Sequence, residues 1–150
     1  MKILRFLEKK KHAEPKWGWL SEGKIGLIEG SPLFEFRRRA PELKPDSVTL
    51  LPPCQPSKII CVGRNYAAHA EEHGSEVPEV PLLFFKPPSS LIGPDEPILL
   101  PPQSNQVEHE AELGVIISRR GRWIKREDAV DYIFGCTIGN DVTARDLQRE

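Results

Sequence analysis

The distribution of proline constrains this sequence more than any other feature. All 15 prolines lie between Pro15 and Pro102, and none follows. Proline fixes φ and lacks an amide donor, so a chain this rich in proline favours short strands and rigid turns. The first two thirds therefore predict short strands joined by turns. The last third predicts regular alternating elements.

Short apolar runs predict a small β-rich domain at the N-terminus. Period-2 alternation and turn residues indicate strands at Lys2–Phe6, Trp17–Leu20 and Ile25–Ile28, of which the last two form a hairpin. The proline-rich segment Pro41–Pro56 predicts a linker that contains one strand, Val48–Leu51. A domain boundary near residue 52 is therefore expected, with the first domain over residues 1–52.

The rest of the chain, residues 57–150, predicts a second domain of strands and short helices. Strands are predicted at Lys58–Val62, Leu82–Phe85, Glu110–Ser118 and Cys136–Asn140, and helices at residues 65–74 and Arg126–Phe134, the latter closed by Gly135. A further helix is expected to begin at Thr143, whose hydroxyl can cap it. The predicted fold class is α+β and rich in β-structure.

Composition and charge exclude several classes of protein. The 21 basic and 22 acidic residues give a net charge of -1, and the basic runs Lys9–Lys11 and Arg37–Arg39 lack interleaved aromatic residues. We therefore expect no nucleic-acid partner and place these runs in solvated loops or strand edges. No apolar run could span a membrane and no signal peptide is visible, so the predicted location is the cytoplasm. Three widely spaced cysteines predict neither disulfides nor a structural zinc site.

Glu110, Glu112 and Asp141 are candidate ligands for a divalent cation. The two glutamates are two residues apart on a predicted strand, so their side chains point to the same face. Asp141 follows the strand Cys136–Asn140, at a position where α/β and α+β proteins often carry site residues. Carboxylate oxygens are ligands that hard divalent cations prefer. On spacing alone, a solvent-exposed strand face explains the two glutamates equally well.

His69 and Glu72 form a second candidate constellation. They are three residues apart on the predicted helix 65–74, where the carboxylate could orient the imidazole as a general base. An incidental pair on a surface helix is the alternative on spacing alone. His73 and His109 have no comparable partner, so we interpret both as surface or structural residues.

Arg145, Gln148 and Lys86 are candidate binders of a substrate carboxylate. Arg145 and Gln148 are three residues apart and would lie on the same face of the last helix, where they could offer a guanidinium and an amide. A solvated helix face explains this spacing as well. Lys86, at the end of the strand Leu82–Phe85, is a weaker candidate for the same role.

Four ordered blocks of sequence resemble the fumarylacetoacetate hydrolase family. The blocks are KIICVGRNYAAHAEE, PLLFFKPPSSLIGPDEPILLP, VEHEAELGVIISRRG and DAVDYIFGCTIGNDVTARDLQ. They cover residues 58–150 almost without a gap. The resemblance implies the first half of a mixed β-roll, preceded by the small N-terminal region found in bacterial members, and assembly as a homodimer.

The resemblance also implies roles for the candidate metal ligands. In this family, the Glu-x-Glu pair and the first Asp of the DVTARDLQ block bind Mg²⁺, or in some members Mn²⁺ or Ca²⁺. These positions correspond to Glu110, Glu112 and Asp141. The family's catalytic domain continues further, with a lysine at the metal site and a Gly-Thr-Pro loop that contacts substrate. We therefore expect a truncated chain that carries the ligands without all of the β-roll around them.

Catalysis and substrate binding follow from the same resemblance. The family's His/Glu dyad corresponds to His69 and Glu72, and its substrate-binding Arg and Gln correspond to Arg145 and Gln148. The implied substrates are small 2-oxo or 2-hydroxydienoic dicarboxylic acids of aromatic catabolism, such as 2-hydroxyhepta-2,4-diene-1,7-dioate. The expected reaction is metal-dependent isomerisation or decarboxylation. Acylpyruvate hydrolysis and oxaloacetate decarboxylation are alternatives, and a non-catalytic metal-binding fragment is an alternative of another class.

Overall fold

Strands make up most of the secondary structure. The computed structural model describes residues 1–67 and 78–148. Its strands are β1 (Lys2–Glu8), β2 (Lys16–Ser21), β3 (Lys24–Gly30), β4 (Phe36–Leu43), β5 (Val48–Leu51), β6 (Ile59–Gly63), β7 (Leu82–Lys86), β8 (Val107–Glu108), β9 (Ala111–Ile117), β10 (Ile133–Asn140) and β11 (Thr143–Ala144). The helical elements described are three 3₁₀ helices, Pro45–Ser47, Pro88–Ser90 and Arg126–Tyr132, and one α-helical turn, Arg145–Gln148. The predicted β-rich class is confirmed. Within the described ranges, no helix has the length and hydrophobicity needed to cross a membrane.

Strands β1 to β5 form one antiparallel sheet in the order β4-β3-β2-β1-β5. The predicted hairpin is confirmed, since Glu22 and Gly23 alone join β2 to β3. Both residues have positive φ, 49° and 73°, which is the mark of the type I′ turn that matches the twist of the strands. Phe6, Ile25 and Val48 are buried together. This sheet therefore has a hydrophobic core of its own.

Glycine at position 18 permits this close packing. A β-carbon on Gly18 would lie only 2.8 Å from both Ile25 Cγ2 and Phe6 Cε1. Real Cβ atoms do not approach other heavy atoms so closely, so any larger residue would push the two core side chains away. The absence of a side chain at one position of β2 thus lets β1 and β3 share one core.

The edge strand β4 departs from the sequence prediction. It includes Arg37–Arg39 and Pro41, and Pro41 is opposite Gly26 of β3 beside a register irregularity. Proline is tolerated at an edge because it removes no hydrogen bond from a second neighbour. The predicted linker Pro41–Pro56 is therefore wrong at its start, whereas its strand Val48–Leu51 is confirmed as β5.

The second half contains three antiparallel pairs, β6–β7, β9–β10 and β8–β11. All four predicted strands of this half are present, and each end lies within three residues of its predicted position. Three apolar residues of β9 are exposed, namely Leu113, Val115 and Ile117. The residues between them are less exposed. Ile138 lies opposite Leu113 on β10 and is 88% exposed. One face of the β9–β10 pair is therefore apolar and accessible to solvent.

The predicted helix Arg126–Phe134 is present as a 3₁₀ helix, but it ends two residues earlier than predicted. Residues Arg126–Tyr132 form a 3₁₀ helix, and β10 already begins at Ile133, which pairs with Ile117. Gly135 lies inside β10 next to a register irregularity, so it does not stop a helix. The aromatic and β-branched residues Tyr132 and Ile133 favour a strand, and pairing with β9 decides the outcome.

Thr143 does not cap the last helix. Thr143 and Ala144 form β11, opposite Glu108 and Val107 of β8, and the helical turn begins at Arg145. The Thr143 hydroxyl donates a hydrogen bond to the carbonyl of Asp141 (3.1 Å), on its N-terminal side. Pairing with β8 delays the helix by two residues. The predicted helix at residues 65–74 lies almost entirely outside the described residues.

Candidate active site

Strands β9 and β10 place Glu110 beside Asp141. The amide of Asp141 donates to the carbonyl of Glu110 (2.9 Å), and the amide of Glu110 donates to Oδ1 of Asn140 (3.1 Å). Glu112 is opposite Gly139 in the register of the pair. Glu110 precedes β9 by one residue, although the sequence predicts it inside the strand. The three candidate ligands thus lie at the same end of the β9–β10 pair.

Arg145 holds two carboxylates at once. Its Nε donates to Oε2 of Glu108 (3.0 Å), its Nη2 donates to Oε1 of Glu110, and its Nη1 donates to Oε1 of Gln148 (2.7 Å). Partial burial acts to lower the pKa of Arg145, but the hydrogen bonds that Arg145 donates to Glu110 and Glu108, together with their negative charges, outweigh it and raise that pKa. The structure therefore brings Arg145 and Gln148 together, with the guanidinium already bound by carboxylates of the chain.

Lys86 holds Asp141. The ammonium group at the end of β7 forms an ion pair with Oδ1 of Asp141, whose side chain is only 12% exposed. This oxygen is buried, and the ammonium group of Lys86 offsets its charge. The sequence predicts Lys86 as a binder of a substrate carboxylate. The structure places it on a carboxylate of the chain.

Cys61 lies within the field of the same charges. Burial is the main cause that raises the pKa of the Cys61 thiol. The charges of Asp141 and Glu112 raise it further, and Lys86 opposes them. Cys61 was not among the residues that the sequence predicted for the site, and it is partly exposed. It shares a strand face with Ile59, which is opposite Lys86. This register between β6 and β7 cannot be read from the alternation of β6 alone.

Glu108 is a second residue of the site that sequence reasoning missed. Its sequence position predicts neither a metal ligand nor a substrate-binding residue. The pairing of β8 with β11 brings it next to Arg145 instead. Asp146 fixes the helical turn from the other side, since it accepts hydrogen bonds from Ser104 Oγ (2.6 Å) and from the amide of Asn105 (2.8 Å). The bond from Ser104 is the main cause that lowers the pKa of Asp146.

The donor chemistry of the site fits a divalent cation. All three predicted ligands are carboxylates, and the buried Oδ1 of Asp141 lacks a hydrogen-bond donor among the described residues. In residues 1–67 and 78–148, however, no three Asp, Glu, His or Cys side chains converge closely enough to share an ion. Arg145 holds Glu110 and Lys86 holds Asp141. The joint ligation by Glu110, Glu112 and Asp141 therefore stays a prediction.

The predicted dyad His69 and Glu72 lies outside the described residues. Tyr66 precedes His69 by three residues and is described. Its hydroxyl oxygen accepts a hydrogen bond from the amide of Leu113 on β9 (3.2 Å). Leu113 follows Glu112 directly. Tyr66 therefore ties the segment that precedes the dyad to the strand that carries a candidate metal ligand.

Family models match two successive parts of the chain. The family described as fumarylacetoacetate (FAA) hydrolase C-terminal matches residues 58–150, which is more than half of the chain. The chain belongs to the fumarylacetoacetate hydrolase family. The predicted family is thus confirmed. The family described as Rv2993c-like, N-terminal, matches residues 1–53.

Relatives within the fumarylacetoacetate hydrolase family include characterised and uncharacterised proteins. The mitochondrial oxaloacetate tautomerase FAHD2A of Bos taurus is 42% identical in an alignment of 128 positions that covers 81% of this chain and 41% of that protein. An uncharacterised protein of Pyrococcus abyssi is 56% identical over 96 residues, 64% of this chain and 43% of that protein. The chain thus spans about two fifths of the length of these relatives.

Solved structures of the family share the described fold. An uncharacterised protein from Mycobacterium abscessus matches with a TM-score of 0.84 and 37% identity, over 99% of this chain and 58% of that chain. The 5-carboxymethyl-2-hydroxymuconate delta-isomerase from Mycobacterium smegmatis matches with a TM-score of 0.81 and 34% identity, over the same shares. The predicted fold, the first part of the family's β-roll after a small β-rich unit, is confirmed.

Proposed function

We propose that this chain provides the metal- and carboxylate-binding residues of an isomerase site for small 2-oxo or 2-hydroxydienoic dicarboxylic acids. The observation that carries the proposal is the guanidinium of Arg145, which joins Glu108, Glu110 and Gln148. The ion pair of Lys86 with Asp141 supports it. Such a site combines cations that can bind an anionic substrate with carboxylates that can bind a metal.

The charges of the site support a divalent cation as cofactor. Lys86 and Arg145 accompany four carboxylates, those of Glu108, Glu110, Glu112 and Asp141. The excess of two negative charges equals the charge of one Mg²⁺, Mn²⁺ or Ca²⁺. We propose that Glu110, Glu112 and Asp141 hold this ion, with Mg²⁺ as the first choice. When bound, the ion supplies Lewis-acid polarisation of a substrate carbonyl oxygen.

The reactions of two relatives favour isomerisation. The bovine relative is an oxaloacetate tautomerase, and a solved neighbour is a 5-carboxymethyl-2-hydroxymuconate delta-isomerase. Both names describe the movement of a proton and a double bond within a small carboxylic acid, with no atom gained or lost. The higher identity to the tautomerase makes the oxaloacetate enol a second candidate substrate beside 2-hydroxyhepta-2,4-diene-1,7-dioate.

In a proton shift, some side chains of this chain would orient the substrate and others would transfer the proton. Arg145 and Gln148 orient one substrate carboxylate, and Lys86 contributes a second positive charge for a dicarboxylate. His69 removes a proton at one atom of the substrate and returns it at another, since its ordinary pKa lies near neutrality. Glu72 orients the imidazole and stabilises its charged form.

Keto–enol exchange of oxaloacetate tests this function. We expect loss of the ultraviolet absorbance of the enol to accelerate in the presence of the protein and Mg²⁺, and to slow when EDTA is added. The double substitution Glu110→Ala/Glu112→Ala should reduce turnover by about 100-fold or more, because the ligands of the stabilising charge are gone. Wild-type turnover of this variant with Mg²⁺ present would contradict the metal-dependent mechanism. Glu29→Gln, in the N-terminal sheet, is the control and should leave turnover unchanged.

Product analysis and calorimetry separate the remaining possibilities. Release of CO₂ would indicate decarboxylation, and two product acids would indicate cleavage of a C–C bond. Titration with Mg²⁺ and with oxalate, a mimic of the enolate, tests binding without turnover. Binding of both ligands without any reaction would support a non-catalytic metal-binding chain, and binding of neither would contradict the site.

A further inference from the structure

All three guanidinium nitrogens of Arg145 have acceptors within the chain. Nε binds Glu108, Nη2 binds Glu110 and Nη1 binds Gln148. The side chain of Arg145 is 13% exposed and that of Glu110 is 21% exposed, so water screens this contact only partly. A cation that binds Glu110 must therefore compete with Arg145 for the same carboxylate.

Glu108 is placed to retain Arg145 during this competition. Strand β8 pairs with β11, so that Glu108 is opposite Thr143, two residues before Arg145. The amide of Arg145 also donates to the carbonyl of Gln106 (2.7 Å), two residues before Glu108. The backbone therefore fixes the distance between Glu108 and Arg145 independently of Glu110.

We propose that Glu108 is a positioning residue that acts on Glu110 through Arg145. This inference rests on the proposed function, since it concerns the binding of a divalent cation to Glu110. Arg145 bridges Glu108 and Glu110. A divalent cation on Glu110 would displace Nη2 of Arg145 from that carboxylate, and Glu108 would keep the guanidinium beside the site. The freed N–H groups then become available to the carboxylate of an anionic substrate.

Opposite effects of two substitutions follow from this arrangement. Arg145→Gln removes the competing cation, so Glu110 becomes free and Mn²⁺ should bind about tenfold more tightly. Glu108→Gln leaves Glu110 as the one carboxylate among the described residues that contacts Arg145, so the guanidinium is harder to displace and Mn²⁺ should bind about tenfold more weakly. A merely structural role would weaken Mn²⁺ binding in both variants.

A double-mutant cycle shows whether Glu108 affects Mn²⁺ binding through Arg145, or whether the two residues affect it independently. If Glu108 acts through Arg145, the variant Glu108→Gln/Arg145→Gln should bind Mn²⁺ as tightly as Arg145→Gln alone. If the two side chains act independently through their charges, the opposite effects cancel and the double variant should bind like the wild type. The latter result would overturn the proposal.

Calorimetric titration of the whole chain with Mn²⁺ is the measurement, with thermal unfolding as the test of folding. Glu108→Asp keeps the carboxylate, so its affinity should lie between those of wild type and Glu108→Gln. It also serves as the test if Glu108→Gln does not fold. Arg39→Gln removes a remote ion pair with Glu29 and should leave the affinity unchanged.

Two results distinguish failure of this inference from failure of the proposed function. If the wild type binds no Mn²⁺, both the proposed metal site and the role of Glu108 are wrong. If the wild type binds Mn²⁺ but Glu108→Gln and Arg145→Gln shift the affinity in the same direction, only the role of Glu108 is wrong.

Discussion

At the scale of single residues, the site is organised by contacts between opposite charges. Lys86 forms an ion pair with Asp141, and Arg145 forms one with Glu110. Taking a carboxylate out of water is costly unless a positive charge accompanies it. The two cations therefore offset part of the cost of holding these carboxylates in a partly buried place.

Removal of Lys86 should destabilise the chain in a way that a metal can reverse. Lys86→Met leaves the buried Oδ1 of Asp141 without a counter-charge. The free energy of unfolding should fall by about 1 to 2 kcal/mol, less than for a fully buried pair because the Lys86 side chain is 30% exposed. Urea unfolding with and without Mg²⁺ measures this. A variant as stable as wild type, or one that Mg²⁺ does not stabilise more than wild type, would contradict the prediction.

The sequence indicated which residue types the site contains, but not which of them contact one another. Glu110 could be selected from its spacing to Glu112 on one strand, and Asp141 from its position after a strand. The pairing of Arg145 with Glu108 could not, because it depends on the alignment of β8 with β11 across a long stretch of chain. Short strands of two residues carry too little periodic signal for such an alignment to be inferred.

At the scale of elements, strands with strong alternation of apolar and polar residues were predictable. Where arginine and proline dominate the local composition, the prediction was wrong. β9 and the β2–β3 hairpin follow directly from period-2 patterns and turn residues. β4 was missed because three arginines and a proline suggest exposed loop, although an edge strand tolerates both. The helix that begins at Arg126 was predicted, but its apolar spacing does not distinguish a 3₁₀ helix from an α-helix, and its end was placed two residues too late.

Close packing at Gly18 provides a test of the N-terminal sheet. Gly18→Ala inserts a methyl group against Phe6 and Ile25, so the free energy of unfolding should fall by about 1 to 3 kcal/mol. Gly135→Ala is the matched control. A β-carbon there meets no atom of the described residues within 4 Å, and its effect should stay within about 0.5 kcal/mol. Equal effects of the two substitutions, measured by urea unfolding, would contradict this account of the core.

At the scale of the whole molecule, the two halves differ in how they bury apolar side chains. The N-terminal sheet encloses Phe6 and Ile25 almost completely, whereas Leu113, Ile117 and Ile138 on β9 and β10 are mostly exposed. Contiguous apolar surface of this kind usually marks a place where another polypeptide packs. A homodimer, as the sequence predicts, is one arrangement that could cover it.

Exposure of this face should make the chain associate with itself. Sedimentation velocity should show a molecular mass that rises with concentration. Ile138→Lys should weaken the association by about tenfold or more, because it places a charge in the centre of the apolar face. Phe34→Lys is the control, since Phe34 is 78% exposed but belongs to the N-terminal half. A wild-type chain that stays monomeric at every concentration would contradict this prediction.

The strand order of the N-terminal sheet has a consequence for how the chain reaches its fold. From β4 to β1, every strand pairs with its neighbour in sequence, so these contacts close only short loops. β5 is different, because Val48 pairs with Glu8 at the opposite end of the unit. Loop-closure entropy grows with the length of the loop, so this one pairing carries the largest entropic cost in the sheet. The last and shortest strand, β5, therefore makes the contacts of greatest sequence separation in the unit.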